Sequence, residues 1–471
     1  MSASSNIQKP IVKNKSRKIN MLSGTLWNKI LLFALPIALQ GILQQLFNSA
    51  DIAVVGRYTE NPTYSIAAVG ANAPIIGLIV NLFLGTALGA NVVIAKAFGE
   101  KNLDTVEKAV HTSIVFSLIA GIFSLVIGEL ISEPILKLVK VPEAVMPLSL
   151  IYLRIYFLAL PFILLFNFES AIFRAVGDTK TPLIILAVSG VLNVCLNFFF
   201  VAGLDFGVKG VAIATVASNV FSSIVLFIIL TKTKHHIKVS VRKLKIRKSV
   251  FVSILKIGVP SGLQSAIFAF SNIIMSSAVN TLGTTIMAGS SVAYNVEIFA
   301  FYVMNSFGQA CTTFVGQNYG AKQIDRCKRT LIICIVEALI SLGICMVLLL
   351  SCGREILSIF NDDPEVIEIG YIRMFYILIS YIFSLLYDNQ AGYMRGFGIS
   401  FTPAILTVSG VCGVRIFWRY VIFAHNPTFK ILMIAYPISL FITATLMFIA
   451  LVCFRPAKRK KELILEPADL C

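Results

Sequence analysis

The chain has 471 residues, 57% of them hydrophobic and 13% charged, with a mean hydropathy of +0.85 and a net charge of +17. So little charge cannot cover a soluble domain of this size, whereas about 20 apolar residues suffice to cross a bilayer. The basic residues fall in alternate loops, which argues against a nucleic-acid binder, and the lack of a metal-ligand set, nucleophile elbow or soluble catalytic segment argues against an enzyme.

Residues 1–26 open with MSASSNIQKPIVKNKSRKIN, polar and basic without the layout of a cleaved signal peptide, and read as a cytoplasmic tail. Twelve apolar runs follow, near 27–55, 65–95, 108–130, 148–173, 182–203, 207–231, 252–280, 285–316, 328–352, 369–394, 402–423 and 430–454. The fold class is an all-α polytopic membrane protein of twelve transmembrane helices in two six-helix lobes. The first lobe spans 27–231, a basic linker 232–251, the second lobe 252–455, and a tail 456–471.

One set of alternate loops holds Lys96, Lys101, Lys108, Arg174, Lys180, Lys322, Arg326, Lys328 and Arg329, and the C-terminal tail adds Arg455, Lys458, Arg459, Lys460 and Lys461. The other set holds fewer: Arg57, Lys137, Lys140, Lys209, Arg354 and Lys430. This bias places both termini in the cytoplasm, and the cell membrane is the expected location. The stretch TKTKHHIKVSVRKLKIRK, 231–248, reads as a cytosolic linker obeying that rule or as a lipid-binding amphipathic segment, the first being simpler. The nine cysteines form no CxxC and lie mostly in apolar runs, so neither a disulfide framework nor a zinc site is expected.

The two halves repeat. LGANVVIAKAFGEK (88–101) aligns with QACTTFVGQNYGAK (309–322), and FRAVGDTKTP (173–182) with MRGFGISFTP (394–403), both at an offset of 221. YLRIYF (152–157) pairs with YIRMFY (371–376) at 219, which matches Arg154 to Arg373. Two six-span halves of one orientation form a parallel repeat about the membrane normal, the architecture of alternating-access transporters.

Asp51, in LFNSADIAVVGR, sits late in the first run, where a carboxylate costs roughly 2.5–3.5 kcal/mol to insert. Its repeat partner is Asn272, an amide, so titration or cation binding is expected in the first lobe alone. In the fifth run Asn193 and Asn197 lie one turn apart on one face, and the sixth run supplies Thr215, Ser218 and Asn219. Such an oxygen cage suits Na⁺ or holds a protonated Asp51, and the amides alternatively serve only to glue helices.

ADIAVVGR in the first run, GANVVIAKAFGEKN after the second, RAVGDTKTP after the fourth and RGFGISFTP after the tenth resemble, in that order, the multidrug and toxic compound extrusion (MATE) transporters. The resemblance covers nearly the whole chain. It implies a two-lobed V-shaped exporter of drugs or organic cations driven by an H⁺ or Na⁺ gradient, with that ion in place of any cofactor. It also implies a cation-binding or coupling site of Asp51, Asn193, Asn197 and Thr215. The seventh run lacks the acid of some branches, its polar groups being Gln264 and Asn272. These two and Glu297, early in the eighth run, are candidates for a substrate cavity, though Glu297 also reads as a carboxylate paired near the outer interface. Asp388 receives no role from the family pattern.

Glu169 is expected to pair with Arg174, Arg154 and Arg373 to snorkel, Arg415 and Arg419 to be structural, and Pro36 to weaken the first helix. Expected partners are small lipophilic or cationic substrates and membrane lipids, with no nucleic acid, and the chain is expected to act as a monomer. The alternative is a lipid-linked oligosaccharide flippase of the same superfamily. Such proteins carry a cationic interior, and no interior cationic cluster is expected here.

Overall fold

The computed structural model describes residues 18–139 and 141–458. Lys140, most of the N-terminal tail, and Arg459, Lys460 and Lys461 of the C-terminal tail lie outside them.

The first lobe comprises α1 (Leu26–Tyr58), α2 (Pro62–Gly99), α3 (Leu103–Leu138), α4 (Met146–Phe157), α5 (Leu160–Ala175), α6 (Lys180–Asn197) and α7 (Gly207–Lys232). The second begins with α8 (Lys248–Asn280), α9 (Thr284–Gly320), α10 (Ile324–Ser351) and α11 (Gly353–Ser358). It continues with α12 (Pro364–Gly396), α13 (Phe401–Thr407), α14 (Val414–Phe417), α15 (Phe423–His425) and α16 (Phe429–Phe454). Among the described residues eleven helices are long and apolar enough to cross a membrane, and α4 with α5 forms a twelfth, broken span.

That fourth span breaks because Pro161, in the first turn of α5, has no amide hydrogen to continue a helix, and the chain bends by 47°. Wide π turns extend α6 through Phe198–Gly203 and divide the eleventh span at Val408–Gly413 and Trp418–Ile422. Pro36 lies inside α1, which runs on without interruption.

The repeat is visible in the backbone. Lys101 and Lys322, 221 apart, both adopt left-handed corners at φ 58° and 59°, and Gly177 and Gly398 do so at 88° and 83°. Contacts between the lobes are reciprocal. A Cβ on Gly99 would lie 2.0 Å from the Gln317 carbonyl oxygen, and one on Gly320 would lie 2.1 Å from the matching carbonyl of Lys96. Further along α2, Gly85 faces the Gly262 backbone and Gly89 faces Gly258. These approaches lie in the half of α2 nearest the 233–247 linker. Toward the far end, Gln44 and Asn48 on α1 and Ser276 and Ser277 on α8 are exposed. The tight backbone crossings of α2 with α8 and α9 thus lie toward the linker end, while these four polar side chains stand exposed toward the other.

α1 belongs to both lobes. Its first half packs Leu26, Ile30, Phe33 and Ile37 into the second lobe's core, with Phe33 edge-on to Phe314 of α9 at 5.5 Å between ring centroids. Its last half places Val54 and Val55 in a first-lobe cluster with Val208 and Val211 of α7.

Three side chains depart from the sequence reading. Arg373 does not snorkel; it is buried, donating to Glu297 Oε1 at 2.6 Å and to Ser290 Oγ at 2.8 Å. Its repeat mate Arg154 is half exposed beside Glu129. Glu169 does not pair with Arg174, because a five-residue separation turns the two side chains about 140° apart on one helix. Arg174 instead donates to Gln309 of α9 at 3.2 Å, and among the described residues neither Glu169 carboxyl oxygen has a hydrogen-bond partner.

Two stability predictions follow from this packing. Gly85→Ala forces α2 off α8 and should destabilise the protein by about 1–3 kcal/mol. Gly70→Ala on the same helix meets nothing within 4 Å and should be neutral or slightly stabilising. Thermal unfolding in one detergent compares them, and an equal response at both sites would contradict the tight crossing. Glu297→Gln or Arg373→Met leaves a buried charge alone and should cost about 3–5 kcal/mol, while Glu297→Leu with Arg373→Met should recover most of it. A double variant no better than either single one would show that the pair is not the source of the loss.

Candidate functional site

The local packing that brings α1 to α6 is set by one residue without a side chain. Gly190, about one turn before Asn193, lies where a Cβ would fall 1.7 Å from the ring of Phe47, itself one turn before Asp51. α6 is fastened to α7 by Ser189, whose hydroxyl donates to the Ser218 carbonyl at 2.6 Å. These contacts hold three helices around one carboxylate.

Asp51 is buried, with 7% of its surface exposed. Asn197 Nδ2 donates to its Oδ1 at 2.5 Å, and Thr215 Oγ1 donates to its Oδ2 at 3.4 Å. The same Asn197 nitrogen reaches Asn193 Oδ1 at 3.3 Å. Asp51, Asn193, Asn197 and Thr215 therefore stand together, on α1, α6, α6 and α7. Ser218 and Asn219 do not join them: both bond the Thr215 carbonyl on their own helix, at 3.0 and 2.8 Å.

The donor count is lopsided. Among the described residues no Lys or Arg lies within salt-bridge distance of Asp51, and Asn197 Oδ1 is buried without a hydrogen-bond partner. A carboxylate and an amide oxygen thus share one buried space with few donors. Either a proton on the carboxyl or a small cation among the oxygens would supply the missing positive partner. Tyr152 and Tyr156 of α4 lie within electrostatic range of Asp51. The sequence reading did not select them, although their four-residue spacing in YLRIYF puts both on one helix face.

Each of the three cavity candidates of the second lobe bonds a different arginine. Gln264 Oε1 accepts from Arg395 Nη2 at 2.8 Å, and Asn272 Oδ1 accepts from Arg415 Nη1 at 2.9 Å. Glu297 is committed to Arg373. The expectation of no interior cationic cluster is also corrected, since Arg373, Arg395 and Arg415 are all buried. Periodicity hid their burial, because each guanidinium has a partner on another helix, Glu297 for Arg373, Gln264 for Arg395 and Asn272 for Arg415. Arg415 additionally bonds Ser439 at 3.2 Å and lies over the Tyr436 ring at 4.4 Å. Arg419 sits over the Phe423 ring at 4.9 Å.

A second polar chain crosses between the lobes, and sequence reasoning missed it. Arg174 of α5 donates to Gln309, Gln309 Nε2 to Asn305 Oδ1 at 2.9 Å, and Asn305 Nδ2 to Asp388 Oδ2 at 3.0 Å. Asp388 then faces Arg395 at 3.9 Å. Its members come from α5, α9 and α12, so only the seven-residue spacing of Asp388 and Arg395 hinted at it. Deeper still, Thr313 donates to Asn91 at 3.0 Å and Gln317 to the Ala175 carbonyl at 2.6 Å, closing the linker end.

Comparison with known proteins agrees with this architecture. The probable multidrug resistance protein YoeA of Bacillus subtilis is 29% identical over 453 residues, 94% of this chain and 96% of its own length. The probable multidrug resistance protein NorM of Thermotoga maritima is 23% identical over 394 residues, 82% of this chain and 84% of its own. A solved outward-facing conformation of a multidrug resistance MATE family transporter of the MOP superfamily superposes with a TM-score of 0.85 at 20% identity, over 95% of this chain and 98% of that one, a likeness of fold. The MatE family profile matches residues 36–199 and 260–421, one block in each lobe, and the chain belongs to the multidrug and toxic compound extrusion (MATE) family.

Proposed function

We propose that the chain is a secondary active antiporter of the cell membrane, exporting small lipophilic or cationic compounds in exchange for H⁺ or Na⁺. In this reading both termini face the cytoplasm. The multidrug resistance names of its relatives support the substrate class. The single observation that carries the coupling site is Asp51 itself, a buried carboxylate that, among the described residues, accepts hydrogen bonds from a neutral amide and a hydroxyl.

Such a carboxylate is costly when charged and empty, and settled when a cation neutralises it. Loading and unloading therefore changes how tightly α1, α6 and α7 close around it. α1 transmits the change, because the helix that carries Asp51 in the first lobe is packed into the second lobe's core at its other end. Pro36 lies between those halves, where a missing amide hydrogen lowers the resistance to bending. A loaded site favours one arrangement of the lobes and an empty site the other, which is the differential binding that exchange requires.

The flippase reading is weaker. The interior does hold arginines, but Arg373, Arg395 and Arg415 each bond side chains of their own lobe rather than presenting a shared anion cradle.

Energised efflux of ethidium, in cells stripped of other pumps, tests the proposal. With matched surface expression, the native protein should export the dye and Asp51→Asn should fall to the empty-vector rate. Clamping the proton and sodium gradients in turn then identifies the ion. Undiminished efflux by Asp51→Asn would remove Asp51 from the mechanism and return it to a packing role.

A further inference from the structure

Between α7 and α8 the chain reads TKTKHHIKVSVRKLKIRK, residues 231–248, with eight Lys or Arg and no Asp or Glu. A linker answering only to the positive-inside rule needs no fixed conformation. This one is docked. Ile237 and Val239 are buried in the first lobe's core beside Leu230 and Val106. The Ser240 amide donates to His111 Nε2 at 3.0 Å and the Arg247 amide to Thr112 Oγ1 at 3.1 Å, both on α3. Lys243 reaches Glu107 of the same helix at 2.6 Å.

Docking fixes which side chains face out. With Ile237 and Val239 turned inward, Lys234, Lys238, Arg242 and Lys245 are exposed. The acids nearest them, Asp104 and Glu107, already bond Lys108 and Lys243. His235, His236, Lys238 and Lys243 surround a cavity of about 400 Å³ against those two acids. Both ends of the belt enter helices long and apolar enough to span a membrane, α7 on one side and α8 on the other, so the belt lies immediately beside two candidate spans.

We propose that this belt is a binding site for anionic phospholipid headgroups. Basic clusters immediately beside a transmembrane helix attract an anionic leaflet, and Lys and Arg donate charge-assisted hydrogen bonds to phosphate oxygens. Docking strengthens the attraction because the order of the backbone is settled before any lipid arrives. The site is separate from the Asp51 cage and stands whichever ion drives transport.

The test uses the purified full-length protein in vesicles of phosphatidylglycerol and phosphatidylcholine, with retained lipids counted by native mass spectrometry. The native protein should retain phosphatidylglycerol preferentially. The combined variant Lys234→Gln, Lys238→Gln, Arg242→Gln and Lys245→Gln should lose that preference by roughly tenfold or more. Raising salt from about 0.05 to about 0.5 M should weaken it in the native protein, as screening requires. The salt series decides the matter if the variant melts lower than the native protein in phosphatidylcholine alone. An unchanged preference in a well-folded variant, or one indifferent to salt, overturns the proposal. Displacement of the lipid by millimolar inorganic phosphate would reassign the belt to free phosphate and overturn it too.

Discussion

A polar group inside an apolar slab must be answered by another part of the same protein, since no water reaches it there. That constraint organises this molecule. The first lobe answers Asp51 with Asn197, Asn193 and Thr215, all neutral. The second lobe answers its charges with opposite charges and aromatic faces: Glu297 with Arg373, Asp388 with Arg395, and Arg415 with Tyr436. Glu169 of the first lobe and Glu337 of the second are exceptions, buried with no hydrogen-bond partner among the described residues, so what sets Asp51 apart is a carboxylate held in place by neutral donors from two other helices.

The backbone repeat makes this difference meaningful. Left-handed corners recur at Lys101 and Lys322 and at Gly177 and Gly398, and Gly99 and Gly320 approach each other's helices by the same route. Equivalent positions therefore occupy equivalent places, and chemical differences between them are real differences in environment. Asn193, Asn197 and Thr215 correspond, at the offset of 221, to Val414, Trp418 and Tyr436. The second lobe lacks the amide cage as well as the acid.

Much of the fold was legible because the bilayer imposes long runs and the repeat doubles each signal. All twelve runs appear as spans, the fourth as a bent pair whose break at Pro161 a count of apolar residues passes over. The grouping of Asp51 with Asn193, Asn197 and Thr215 was legible because rare polar residues in apolar runs have few places to go. What the sequence concealed is long-range. Glu169 and Arg174 are neighbours in sequence, yet helical phase separates them and Arg174 finds Gln309, 135 residues away. Arg373 matches Arg154 in the repeat, yet one is buried and the other half exposed, because Glu297 offers a partner only to the first. No local pattern carries such information.

The pairing of Arg415 with Asn272 explains why the second lobe has an amide where the first has Asp51. A carboxylate at 272 would lie within hydrogen-bond reach of a buried guanidinium, since the amide oxygen already accepts from Arg415 at 2.9 Å. Its charge would be balanced permanently, and a passing proton or Na⁺ would have to compete with a cation fixed in the protein. An exchangeable site needs the opposite arrangement, a carboxylate whose neighbours hold it in place without neutralising it. Asp51 meets that condition because Asn197 and Thr215 donate hydrogen bonds while contributing no charge. The same amide gives Arg415 an uncharged partner, so under the proposed exchange the second lobe would hold its geometry while the first changed its charge.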